Sequence, residues 1–165
     1  MKTNIAVIAS VLGATAFSTG TMAQDATRPM RTVTLAFANE LAAATLKKCA
    51  ADGYNVAVAV VDRAGQLLTL QRSELARAHA IELAQRKAYT SAMLGYETVK
   101  LVENIKNGVT PPSISQTTGF TALIGGLPLK SKDEVIGGIG VSGAPGGQFD
   151  QACADTAVTA LQSKL

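Results

Sequence analysis

Apolar residues recur along this chain with two different periods. Residues 33–51, "VTLAFANELAAATLKKCAA", are rich in Ala, Leu and Lys and are followed by Gly53, which predicts a helix with a stop signal. At about 100° per residue, Leu35, Ala38, Ala42, Leu46 and Cys49 share one arc, the expected buried face. The period then shortens to two. In "YNVAVAVVDRAGQLLTLQR", Val56, Val58 and Val60 alternate with Ala57, Ala59 and Val61, and Asp62-Arg63-Ala64-Gly65 is a turn, so 56–61 and 66–71 predict a β-hairpin. Both faces of the first strand are apolar, which predicts a central strand covered on two sides. A second helix is expected over 78–94, followed by a poorly periodic stretch containing Pro111-Pro112. Strands return in "FTALIGGLPL", which turns at Gly125-Gly126, and in "EVIGGIGVSG". A closing helix over 148–164 brings Phe149, Ala152, Cys153 and Ala160 to one face. The order α-β-β-α-β-β-β-α, with hairpins in place of alternating crossovers, predicts an α+β fold with an antiparallel sheet. No internal repeat or domain break interrupts it.

The N-terminus, "MKTNIAVIASVLGATAFSTGTMAQDA", carries a different signal. Lys2 supplies a basic start, residues 5–17 an apolar stretch too short for a bilayer, and Thr21-Met22-Ala23 a small-x-small cleavage site. These predict a cleavable signal peptide over 1–23, a single domain over 24–165, and a periplasmic or secreted protein. The net charge of +3 is small, and no basic cluster is interleaved with aromatics, so nucleic-acid binding is excluded as a leading class. No second apolar run approaches membrane length, so no membrane span is expected in the mature chain. Export also gives the two cysteines, Cys49 and Cys153, a choice between one disulfide and two buried thiols.

The only histidine, His79, lies in "SELARAHAIE" at the start of the second helix. With His79 at the origin of a helical wheel, Ala80, Ile81, Ala84, Ala88, Ser91 and Ala92 occupy one face. His79 lies opposite, among Glu82, Leu83, Arg86, Thr90 and Met93, so it is expected to face solvent, a pocket or a partner. His79 and Glu82 make at most two metal ligands, whereas zinc needs three or four protein ligands, and no second histidine exists. Haem iron differs, because one imidazole suffices as axial ligand, and Arg86 or Lys87 would then meet a propionate. Met93 lies roughly 21 Å farther along the helix and cannot supply the second axial ligand from the same segment. An i, i+4 ion pair with Glu82 is the competing role for Arg86.

Two motifs do not carry chemistry. Gly138-Ile139-Gly140-Val141-Ser142-Gly143 fits G-x-G-x-x-G, but too little chain follows for the strand and acidic residue of a dinucleotide site. Those glycines instead predict close backbone packing. Ser142 has glycine on one side only, and with His79 upstream the Ser…Asp…His order of a hydrolase cannot be built.

The segments "GYNVAVAVVDRAGQLLTLQR", "HAIELAQRKAYTSA", "GGLPL" and "VIGGIGVSGAPGGQFDQACADTA" together resemble the GlcG/HbpS family of haem-binding and related proteins over residues 31–164. The resemblance implies a profilin-like α+β fold, a central antiparallel sheet flanked by helices, and a homo-oligomer that is often an octamer. It also implies haem as a cofactor or ligand: the extracellular HbpS is linked to haem binding and redox sensing, while GlcG-type members lack a settled activity. Some relatives are accessory domains of PduO-type cobalamin proteins. Where many relatives have "DGA", this chain has "ELARAH", and the acidic iron-binding pattern of HbpS is not recognisable, so no iron site is carried over. The expectation is an exported, oligomeric haem-binding protein with His79 as axial ligand. The competing expectations are an enzyme or accessory protein for a small organic acid or cobalamin-related ligand, and an oligomer with a purely structural role.

Overall fold

The computed structural model describes residues 26–165; the expected signal peptide, 1–23, lies outside the described residues. The chain forms α1 (Leu35–Ala51), β1 (Ala57–Asp62), β2 (Leu67–Arg72), α2 (His79–Leu94), α3 (Thr98–Lys106), β3 (Gly126–Ser131), β4 (Glu134–Ser142) and α4 (Gly147–Ala160). The strands make one antiparallel sheet in the order β2-β1-β4-β3, confirming the α+β class. Alternation along β1 sorts its side chains between two cores. Val56, just before the strand, Val58 and Val60 join Leu41, Ala42, Ile139 and Val141 beneath α1 and α4. Ala57, Ala59 and Val61 meet Ala80, Ala84, Ala88 and Ala92 of α2 on the other face.

The alanine face of α2 works only because β4 opposes it with glycine. A Cβ at Gly140 would lie 2.1 Å from the Ala84 carbonyl oxygen, and one at Gly138 would lie 2.5 Å from that of Ala88. The glycine-rich run is therefore a contact surface for the helix backbone. Gly140→Ala is expected to destabilise the domain by about 1–3 kcal/mol through overpacking. Urea unfolding followed by circular dichroism measures it, and an unchanged midpoint would contradict the close approach.

Cys49 of α1 and Cys153 of α4 are joined by a disulfide, with Cα atoms 5.4 Å apart, so the choice left open by the sequence falls to the bridge. Thr34 caps α1 through its side chain, which accepts a hydrogen bond from the Phe37 N–H at 3.2 Å.

Several expectations need correction. The buried arc of α1 is Ala38, Leu41, Ala42, Thr45 and Cys49, while Leu35, the first helical residue, is 53% exposed and Leu46 only partly covered. The helix is rotated toward Leu41 and Thr45, whose hydroxyl is satisfied by the Leu41 carbonyl. The buried face of α4 is Asp150, Gln151, Cys153, Ala154 and Ala157, and Ala152 and Ala160 face outward, because long-range polar partners cover Asp150 and Gln151. The sheet has four strands, since residues 120–124 form none. That segment packs back on α2 instead: the Thr121 N–H donates to the Thr90 hydroxyl at 2.9 Å and Phe120 meets the Tyr89 ring edge-on. Finally, the stretch read as aperiodic contains α3, whose Leu101, Val102 and Ile105 do recur at helical spacing, but over only nine residues, too few for the period to stand out.

Candidate functional site

An open groove of about 910 Å³ lies where β4 ends and α2 and α4 begin. His79, the first residue of α2, is exposed on its wall. The preceding loop is tied down by Arg72, whose guanidinium donates to the carbonyls of Ser73, Glu74 and Ala76 at 3.3, 3.2 and 3.3 Å. One side chain thus sets the path of the loop that delivers Arg77 and His79 to the same groove.

Two turns further along α2, Lys87 reaches the groove from within the fold, with its side chain only 3% exposed. Its Nζ donates to Asp150 Oδ2 at 2.8 Å and to the Val141 carbonyl at 2.8 Å. Asp150, in the first turn of α4, also accepts from the Ala144 N–H at 3.0 Å through Oδ1. Space for this lysine comes from glycine. A Cβ at Gly126 would lie 2.3 Å from the Lys87 carbonyl oxygen, and one at Gly125 would lie 3.0 Å from Nζ. Burial pulls the Lys87 ammonium below the usual lysine range, against the charge and hydrogen bond of Asp150. Burial likewise pushes the Asp150 carboxyl above the usual carboxylate range, against Lys87 and the Ala144 N–H. The pair therefore sits where the neutral and charged forms are drawn together in energy.

Of the residues singled out in the sequence, His79 and Lys87 share the groove and Arg86 does not. Arg86 pairs with Glu82 at 3.1 Å, the i, i+4 contact. Met93 lies outside the groove lining as well. Sequence reasoning missed Arg77, two residues before His79, and Asp150, whose partner is 63 positions away. Apolar walls come from Leu75, Leu83, Val102 and Ile124, with Tyr54 at the α4 side, where its ring meets Phe149 at 5.4 Å. Among the described residues, no three His, Cys, Asp or Glu side chains are grouped to hold a metal, and no helix is long and apolar enough to cross a membrane.

These features define an α+β domain with a solvent-open groove lined by one imidazole, an exposed arginine, a buried Lys87–Asp150 ion pair and an apolar wall. Residues 33–159 match the family described as "Haem degrading protein HbpS-like", and the chain belongs to this GlcG/HbpS family. It is 33% identical over 129 residues to an uncharacterised protein from the dhaT-dhaS intergenic region of Citrobacter freundii, covering 77% of this chain and 90% of that one. It is 34% identical over 109 residues to the protein GlcG of Escherichia coli, covering 64% and 77% respectively. The crystal structure of HbpS superposes with a TM-score of 0.78 at 32% identity, covering 82% of this chain and 94% of that one.

Proposed function

We propose that this is an exported haem-binding protein that uses His79 as an axial ligand. The observation that carries the reading is the position of the single histidine: exposed, on the wall of a groove whose lining combines apolar side chains with Arg77 and Lys87. The groove volume lies within the range of small-ligand sites. A planar porphyrin needs apolar contact for its ring, a nitrogen for its iron and cations for its propionates, and each is present. The family description supports the haem reading.

Bound there, haem would supply a redox-active iron that the chain itself lacks. The chain contributes binding and orientation. His79 offers a ring nitrogen from a loop braced by Arg72. Arg77 is the exposed groove cation that a propionate meets, and Lys87 lies deeper in the same lining, already paired with Asp150, whereas Arg86 pairs with Glu82 outside the groove. The signal-like N-terminus and the disulfide support an oxidising compartment, periplasmic or extracellular. A homo-oligomer, as in the family the sequence resembles, completes the reading, with haem handling or redox sensing as its role.

Titration with hemin, followed at the Soret band, tests this. The parent chain is expected to give a saturable shift, His79→Ala to weaken it by about tenfold or more, and Arg86→Ala to leave it unchanged. An identical titration for the parent and His79→Ala would move the iron ligand elsewhere. No shift in the parent would overturn the haem reading.

A further inference from the structure

We propose that Lys87 is an amine nucleophile that takes a small 2-oxo acid as a Schiff base, with Asp150 as its proton carrier. The inference goes beyond haem binding and does not rest on it. Its basis is the geometry of the inner groove. An ammonium group has three donors, and two of those on Lys87 are committed, to Val141 and Asp150. The third position remains for a ligand, and Lys87, Asp150 and Ser142 all belong to the groove lining. Nucleophilic attack requires the neutral amine, and desolvation is the usual means of making one available near neutral pH. Here the proton has a destination 2.8 Å away, along an existing hydrogen bond to Asp150. Burial favours that transfer at both ends.

The step balances within the pair. Lys87 gives a proton to Asp150, and the nitrogen lone pair attacks the ligand's carbonyl carbon. The C–N bond forms as the C=O π pair moves to oxygen, which takes the proton from Asp150 and becomes a hydroxyl. The nitrogen then returns one proton to the Asp150 carboxylate. Asp150 passes it to the hydroxyl, the C–O bond breaks and water leaves. The nitrogen lone pair closes the C=N bond, leaving a protonated imine beside an ionised Asp150. One carbonyl oxygen departs as water, no electrons are gained or lost overall, and the ion pair is regenerated with the iminium in place of the ammonium.

The ligand's own carboxylate also has partners. Arg77 is in the groove, and so are Gly146 and Gly147, which begin α4. Gly146 caps that 14-residue helix with no side-chain hydrogen bond; the Phe149 and Asp150 N–H groups already donate to its carbonyl, which leaves those of Gly147 and Gln148 for an anion. The class is therefore a small acid with a ketone or aldehyde next to its carboxylate. Without this chemistry, the same pair would be only a tie between α2, β4 and α4.

The test treats the purified full chain, free of haem, with pyruvate and sodium cyanoborohydride, followed by intact mass and peptide mapping. The expected result is one reduced adduct per chain, at Lys87, forming about tenfold or more faster than at any exposed lysine. Asp150→Asn is expected to slow it about a hundredfold while the chain still melts cooperatively, and Lys87→Met to abolish it. Should either variant fail to fold, the adduct map of the parent chain decides alone. Adducts spread over exposed lysines with Lys87 unmodified would overturn the proposal, and equal labelling of Lys87 by acetaldehyde would overturn the acid as its substrate class. Hemin binding without labelling at Lys87 would overturn this inference alone, and labelling without hemin binding would overturn the haem reading alone.

Discussion

Replacing Lys87 with methionine is expected to lower the unfolding free energy by about 3–5 kcal/mol, one of the two largest effects predicted for this chain. The loss does not measure what the ion pair contributes. Asp150 is buried with its partner, their side chains 4% and 3% exposed, so Lys87→Met leaves an uncompensated carboxylate inside the protein. It also removes the donor to the Val141 carbonyl. Asp150→Leu strands the ammonium in the same way. The double variant, Lys87→Met with Asp150→Leu, removes both charges and is expected to recover most of the loss. A residual deficit of about 1–3 kcal/mol remains, because the Val141 carbonyl and the Ala144 N–H lose their partners. Urea unfolding of the parent, both single variants and the double variant gives the coupling energy directly. Additive single losses would mean that the two side chains do not act as a buried pair.

Breaking the Cys49–Cys153 bridge is the second. The cysteines are 104 positions apart, and a cross-link over a loop of that size stabilises by at most about 4–5 kcal/mol in the chain-entropy account. For a domain of this size the corresponding drop in Tm is on the order of 10–20 °C. A Cys49→Ala, Cys153→Ala chain is expected to show it in a thermal melt. The parent should resist mild reductant until partly unfolded, because both cysteines are fully buried in the core beneath α1 and α4. A double variant melting with the parent would show that the packing around the bridge holds α1 on α4 by itself.

What the sequence revealed, and what it hid, follows the range of the interactions. Strand β1 was legible because its two-residue alternation is local and both faces are apolar. The placement of His79 off the core face was legible for the same reason, since the run of alanines on α2 marks the opposite face. Thr90 was misassigned to the outer face, because the loop that covers its hydroxyl begins some thirty positions later, at Thr121. Asp150 and Gln151 were overlooked on α4, because polar residues betray burial only when their partners are known, and those lie on α2 and next to α3. The groove suffers most from this. Its histidine stands out by being alone, but its lysine is marked only as a propionate candidate on a par with Arg86, and nothing local shows that Lys87 is buried against Asp150 while Arg86 is not.

The strand order also governs how the chain must be made. The two inner strands, β1 and β4, come from opposite ends of the domain, at Ala57–Asp62 and Glu134–Ser142. During synthesis, α1, β1, β2 and α2 all emerge while one long edge of β1 still lacks its neighbour. That edge belongs to the most apolar strand of the protein, and an unpaired apolar edge is a template for association with other chains. Every nascent chain therefore passes through a period of exposure that ends only when β4 arrives, and a fragment stopping before Glu134 would carry that adhesive edge permanently.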